Sequence, residues 1–472
     1  VRQLGLRLPF RFGVITLQDL ALLHLAIEVE AADGSRARGF AADNLVPKWF
    51  DKDPARSSRQ NIDDLLASIS VAEAAYADAA RVPRTFWTIW RDAYAEVRRR
   101  GAGLGLNPLV AGFGSALFER ALADAAGRLT GAGLVEMLRR NVLDLRPGEI
   151  HPELSDRDLA SWARREPPAA LAVRHTVGLL DPLVAADLGP GDLEDGLPRT
   201  LEEYVVAQGL RYFKLKVAGE VDADLERLER IAGVLDRLTP ERYRVTLDGN
   251  EQYKSILQFL RLVEAMRQVP RLRRLLDAIV FIEQPLDRAV ALDPGATEGL
   301  RALPGAVPLV IDESDGDLDS FKAAIAREYR GVSSKNCKGI VKSFLNRSPV
   351  ERLNRDRAPH ERLFMSAEDL TNVPVVPVQQ DLATVRALGL EHVERNGHHY
   401  VRGLAHCSPA ERDAATRLHA DLYSGDTREA WLRISDGRLQ VGSLDVPGYG
   451  IAFDPDLGAM TPLEAWRRAE SP

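Results

Sequence analysis

The chain has 472 residues, 45% of them hydrophobic and 28% charged, which is the balance of a globular protein with core for about three ordinary domains, or for one α/β barrel of about 250 residues plus an accessory domain. No apolar run approaches the ~20 residues that cross a bilayer, and a net charge of −7 argues against a nucleic-acid footprint. Two cysteines, Cys337 and Cys407, cannot build a disulfide framework, and residues 1–10 lack a signal-peptide pattern, so a cytoplasmic enzyme is expected.

Residues 1 to about 45 read as strands, with a turn at Ala32-Asp33-Gly34. From about Asn61 to Arg140 the pattern becomes helical, broken between Gly101 and Pro108. Leu117, Ala121, Ala125 and Leu129 fall on one helical face. Arg165-Glu166-Pro167-Pro168 reads as a junction, because a proline pair cannot continue a helix. Short β-rich runs follow at 172–178, 211–217, 244–247, 278–283, 308–312, 331–335, 361–365 and 392–401, separated by amphipathic stretches. Eight such units predict a closed parallel barrel with helices outside. The tail reads as a hairpin around Asp436-Gly437 and then an irregular Gly/Pro segment at 445–453. The predicted organisation is an N-terminal α+β domain over 1–166, a barrel over 167–425, and a segment at 426–472 that packs back on the first domain.

Active sites of α/β barrels sit at the carboxyl ends of the strands. Lys214 and Lys216, at i and i+2, leave one face of the second predicted strand. Asp248, Glu283, Asp312 and Lys335 then end the next four strands. Asp248, Glu283 and Asp312, with no His or Cys among them, point to a hard cation: Mg²⁺, with Mn²⁺ as a substitute. Lysines on either side of such a metal suit removal of the proton α to a carboxylate, through an enediolate stabilised as its charge develops. A basic lysine needs a lowered pKa, which a neighbouring lysine would help to supply. One base on each face gives racemisation or epimerisation.

These residues resemble the enolase superfamily, specifically its mandelate racemase/muconate-lactonizing-enzyme branch, on the muconate-lactonizing side. The motifs are Lys214-Leu215-Lys216, Asp248-Gly249-Asn250, Ile282-Glu283-Gln284-Pro285, Asp312-Glu313-Ser314 and Lys335-Asn336-Cys337-Lys338-Gly339, in the family's order. The helical stretch 115–127 is similar to a helix of the family's capping domain, and Val446-Pro447-Gly448-Tyr449-Gly450 resembles its C-terminal signature. The resemblance implies a modified TIM barrel, (β/α)₇β, closed by an α+β capping domain that the N-terminal third and the C-terminal tail form together. It implies Asp248, Glu283 and Asp312 as metal ligands, and Lys216 and Lys335 as the two acid/base groups. Lys214 would tune Lys216 and help neutralise the substrate carboxylate, and Asn250 would contact substrate or a metal-bound water. Substrate selection would fall to 10–14 and 44–53, with Trp49 and Phe50. A small-molecule carboxylate substrate and a homo-oligomer follow from the same resemblance.

Some positions depart from the family pattern. Lys335 replaces the mandelate-racemase Asp on the sixth strand, and the seventh strand brings no His. The Asp-x-Asp of dipeptide epimerases is replaced around Glu394-Arg395-Asn396, and the usual double glycine is Gly339-Ile340. Elimination (an acid-sugar dehydratase or a succinylbenzoate-synthase-like lyase) and cycloisomerisation are the alternative outcomes, with a non-catalytic metabolite-binding barrel as the remote one. Glu368 and Asp369 are candidate substrate contacts, with helix N-capping as the alternative role for Asp369. His175, His398 and His399 are expected to be structural, with Asn396-Gly397 as a tight turn. Cys337 reads as a small buried thiol.

Overall fold

A computed structural model describes residues 1–12, 15–189, 193–298 and 307–469. Gly13 and Val14, which belong to the predicted substrate-selecting loop, lie outside the described residues.

The chain opens with an antiparallel three-stranded sheet, β1 (Arg2–Phe12), β2 (Ile15–Glu30) and β3 (Arg36–Asn44). Gly34, with φ +83°, makes the turn between β2 and β3. Three helices follow: α1 (Ser58–Ala79), α2 (Phe86–Gly103) and α3 (Pro108–Thr130). Each begins on a side-chain cap, Ser57, Thr85 or Asn107, that accepts a first-turn backbone N–H. α3 is buried on nearly every side and ties the layers together. Its Arg120 pairs with Asp43 of β3 at 2.7 Å, both buried.

Parallel strands then alternate with helices: β4 (Ala170–Val177), β5 (Tyr212–Lys216), β6 (Arg244–Asp248), β7 (Ile279–Glu283), β8 (Leu309–Ile311), β9 (Gly331–Ser334), β10 (Phe364–Ala367) and β11 (His392–Arg395). Their order is β10-β9-β8-β7-β6-β5-β4-β11, a curled sheet. The two outer strands are linked at their ends by Asp369, whose N–H donates to Glu394 Oε2 at 2.9 Å and whose Oδ2 accepts from Asn396 N–H at 2.9 Å. Alternation sorts the side chains. Arg174, Thr176, Lys214, Lys216, Thr246, Asp248, Phe281, Glu283, Glu368 and Glu394 take the inner face. Phe213, Leu215, Val245, Leu247, Ile282 and Val332, buried to 1% or less, pack outward against the helices.

The structure corrects several expectations. The seventh strand is Phe364–Ala367, later than 361–365, because Pro359–Glu361 form a 3₁₀ turn. The eighth strand stops at Arg395, and Gly397–Tyr400 is a short helix, so Asn396-Gly397 opens a helix and makes no β-turn. Asp436 and Gly437 do turn, with φ 51° and 67°, and Ser435 and Arg438 close the predicted hairpin by exchanging two backbone hydrogen bonds, but beyond that pair the flanking segments take different partners. β13 (Ala430–Leu432) pairs with β12 (Tyr423–Gly425), while β14 (Arg438–Gln440) runs antiparallel to β4. This part of the 426–472 tail therefore joins the barrel sheet. The later part reaches the N-terminal elements: Tyr449 N–H donates to Asp124 Oδ1 at 2.7 Å, and Trp466 Nε1–H to Gln3 Oε1 at 3.1 Å. Among the described residues, no helix is long and apolar enough to cross a membrane.

Candidate active site

Five neighbouring strands deliver the charged residues in sheet order: Lys214 and Lys216 from β5, Asp248 from β6, Glu283 from β7, then Asp312 and Lys335 immediately after β8 and β9. All six are buried. Charges this deep persist only when paired. Lys214 Nζ is the hub, 2.7 Å from Glu283 Oε2, 2.9 Å from Glu368 Oε2 and Glu394 Oε2, and 3.0 Å from Asp248 Oδ2. Lys216 Nζ donates to Asp248 Oδ2 at 2.5 Å, and Lys335 Nζ to Asp312 Oδ2 at 2.6 Å. Lys338 Nζ and Ser333 Oγ donate to the other Asp312 oxygen.

Electrostatics follow from these contacts. Burial alone would lower Lys214, but its carboxylates hold it well above the usual lysine range. Lys335 is likewise raised against burial, chiefly by Asp312. The lowering expected of a basic lysine is not seen at Lys335, where the Asp312 carboxylate stands 2.6 Å from the ammonium. Burial pushes Glu283 well above the carboxylate range, and Asp248 and Glu368 push it further. Asp248 and Asp312 are pulled below it because nearby lysines outweigh their burial.

The donor set fits a hard divalent cation. Asp248, Glu283 and Asp312 offer only oxygens, from adjacent strands, and Glu283 Oε1 is buried with no hydrogen-bond partner. Such an orphaned oxygen in an acidic cluster is what a cation would satisfy.

The other singled-out residues divide. Glu368 reaches the cluster through Lys214 and also pairs with Arg174. Asn250 N–H donates to Asp248 Oδ1 at 2.8 Å, and its amide lies 3.3 Å from Glu313 Oε1. The Trp49 ring covers Lys335 Nζ, 4.4 Å from the ring centroid, whereas Phe50 stacks edge-on against Trp49 and Phe113 in the core. Arg288 holds this loop to the barrel by donating to Trp49 O and Phe50 O while pairing with Glu251. Asp369 does not cap the next helix, which begins at Val376. Cys337 is buried with its thiol pKa pushed up, as a packing residue would be. His175, His398 and His399 gather on the outer face of β4, away from the cluster.

Glu394, Arg174 and Lys338 have no role assigned from the sequence. The alternation of β11 and β4 could have placed Glu394 and Arg174 inside, had the strand bounds been known. Lys338 becomes a ligand of Asp312 only because Asn336–Lys338 form a 3₁₀ turn.

Beyond Glu313 opens a cavity of about 700 Å³, lined by Asp51, Lys52, Asp53, Glu251, Arg288 and Asp317 among others.

The model of the family described as "Enolase C-terminal domain-like" matches residues 196–457. The chain is 32% identical over 190 residues to the L-Lys-D/L-Arg epimerase of Methylococcus capsulatus, a match covering 35% of this chain and 48% of that protein. It thus spans about half the length of the curated relative it matches. Among solved structures, it is similar to a dipeptide epimerase of Enterococcus faecalis in complex with Mg and the dipeptide L-Leu-L-Tyr (TM-score 0.58, 13% identity, 96% of this chain and 97% of that one). It is also similar to the muconate lactonizing enzyme of Pseudomonas putida (TM-score 0.56, 15% identity, 97% and 95%). These likenesses carry the fold: a barrel with an N-terminal capping domain. The chain belongs to the enolase C-terminal domain-like family, in the mandelate racemase/muconate lactonizing enzyme branch of the enolase superfamily.

Proposed function

We propose that the protein is a Mg²⁺-dependent racemase or epimerase that moves the proton α to a carboxylate, with Lys216 and Lys335 as the two acid/base groups. The supporting observation is the sheet order Lys216–Asp248–Glu283–Asp312–Lys335, which brackets three carboxylates between two lysines on opposite sides. Asp248, Glu283 and Asp312 would hold the cation. Mg²⁺, when bound there, neutralises the substrate carboxylate and stabilises the negative charge that develops as the α-proton leaves.

The chain's own groups do the rest. Lys216 takes the proton from one face, and Lys335 delivers one to the other, so the configuration inverts. Each must begin the cycle in the opposite protonation state. Asp248 and Asp312, one hydrogen-bonded to each lysine, hold the two ammonium groups in position. Trp49 caps Lys335 and keeps water from that face. Lys214, among four carboxylates, contributes fixed positive charge.

The cavity beyond Glu313 supports a substrate whose far end is cationic. Its lining has six carboxylates (Asp51, Asp53, Glu251, Asp287, Glu313, Asp317) against Lys52, Lys254 and Arg288. Glu313 Oε2 is buried without a partner. The name of the Methylococcus relative, a Lys/Arg epimerase, agrees with this.

The test is α-proton exchange in D₂O with Mg²⁺, using lysine- and arginine-containing dipeptides, N-acyl amino acids, hydroxy acids and acid sugars. A one-dalton gain with inversion is expected for a cationic carboxylate. Lys216→Ala and Lys335→Ala should each abolish inversion, and each should keep exchange of one stereoisomer only. Loss of water from the substrate would replace epimerisation by elimination. Full inversion in either lysine variant would exclude the two-base scheme.

A further inference from the structure

His175, His398 and His399 take no part in the chemistry above, yet their rings converge. His175 sits on β4 between Arg174 and Thr176, both of which face the barrel interior, so its side chain leaves by the opposite face. There it meets the short helix Gly397–Tyr400 that follows β11. Ring centroids lie 5.1 Å (His175 to His398), 4.5 Å (His175 to His399) and 4.8 Å (His398 to His399) apart. One nitrogen from each ring can be chosen so that all three lie within 4.8 Å of one another.

Hydrogen bonding leaves these rings under-used. His175 Nδ1 and His398 Nε2 are 3.2 Å apart. His398 Nδ1 and both nitrogens of His399 are buried with no hydrogen-bond partner. Buried, unpaired polar nitrogens cost on the order of 1–3 kcal/mol each. His399 Nε2 also stands 3.6 Å from Asp181 Oδ2, a carboxylate fixed by Tyr400 OH and Gly178 N–H.

From this geometry we propose a second metal site, distinct from the carboxylate site, that takes a borderline ion such as Zn²⁺ on three neutral imidazoles. Two nitrogens on a tetrahedral ion with ~2.0–2.1 Å bonds stand ~3.3 Å apart, close to the His175–His398 separation. Rotation about the side-chain bonds of His399 brings in its nitrogen. Asp181 then faces the remaining nitrogen of His399, the carboxylate–histidine–metal arrangement that orients a ligating ring. A cavity of about 340 Å³, lined by His398, Arg7, Tyr204 and Gly397, gives the ion a way in and leaves room for a water as fourth ligand. An imidazole set favours Zn²⁺ over Mg²⁺, whereas the oxygen-only set in the barrel suits Mg²⁺ and is held by it when Mg²⁺ is in excess. The site would clasp β4 to the segment after β11, and Arg7, which donates to His399 O and to Tyr204 OH, extends the clasp to β1.

The full chain, stripped with chelator and returned to excess Mg²⁺, is titrated with Zn²⁺, and in parallel with Co²⁺. One tightly held Zn²⁺ per chain is expected, with the intense visible bands of tetrahedral Co²⁺. His398→Ala, at the half-buried position, should weaken binding by more than the ~10–100-fold that loss of an outer partner costs. Asp248→Asn, in the barrel site, should leave it unchanged. Substoichiometric Zn²⁺, weak octahedral Co²⁺ bands, or binding lost in Asp248→Asn but kept in His398→Ala would each overturn the site. The cobalt spectrum of the unmutated chain decides the matter if His398→Ala fails to fold.

Discussion

Lys214→Met removes one ammonium from four carboxylates and keeps most of the side-chain volume. At an effective dielectric of about 20, each contact at 2.7 to 3.0 Å is a gross attraction of roughly 5–6 kcal/mol, offset in the native protein by the cost of burying the ammonium. Breaking a buried pair by removing one partner costs about 3–5 kcal/mol, because the other charge stays behind. We expect that loss in chelator at pH 8, a drop in melting temperature of about 6–10 °C if the barrel melts as a unit of about 250 residues. The pH dependence follows from the carboxylates. Glu283 is already raised above its ordinary value by burial and by Asp248 and Glu368, and without Lys214 the largest of the pulls that lower Asp248 and Glu394 is gone, leaving those of Lys216 and, for Glu394, Lys335 and Arg174. A raised folded-state carboxylate binds protons that the unfolded chain does not, so stability falls as pH rises. The deficit should therefore shrink toward pH 5. Mg²⁺, a replacement charge among the same oxygens, should shrink it at pH 8. Thermal unfolding with chelator and with Mg²⁺, at both pH values, measures all of this. A variant that melts with the parent in chelator at pH 8, or a deficit indifferent to pH and Mg²⁺, would refute the electrostatic account.

Other perturbations probe the frame around the site. Glu119, pushed up to about 7 by burial, accepts from Trp90 Nε1–H and Val341 N–H. It should contribute about 3 kcal/mol of stability below pH 4.5 that is lost as pH rises to 7, and urea unfolding of Glu119→Gln should lack that portion of the slope. Gly339 has φ +103°, and a Cβ there would sit 2.9 Å from Glu119 Oε1, so Gly339→Ala should cost more than ~1 kcal/mol by the same measurement. Arg288→Met frees the loop carrying Trp49 from two carbonyl contacts. Steady-state kinetics on a substrate found by the exchange screen should show KM rising by about tenfold or more and kcat changing less; a pure kcat loss would place Arg288 nearer the chemistry.

The sequence determined the identity of the cluster. Lys216, Asp248, Glu283, Asp312 and Lys335 fall at the ends of successive β-rich runs, with Lys214 two residues before Lys216 on the same face. The helices of the N-terminal third and the turn at Gly34 were legible for the same reason, since their signals are local. Other features depended on where strands begin and end. Glu394 entered the cluster because β11 presents alternate residues inward, and β14 joined β4 because the turn at Asp436-Gly437 aims it at residues 170–172, the start of β4 that precedes its pairing with β5. Local propensity is silent on such choices, which are made by partners hundreds of residues apart. The pairing of Lys214 was decided the same way: the sequence shows it two residues from Lys216, but only tertiary structure brings Glu368 and Glu394 within 2.9 Å of it, so that it is raised where burial alone would lower it. A charge responds to the nearest charges in space, and in a barrel those come from every strand.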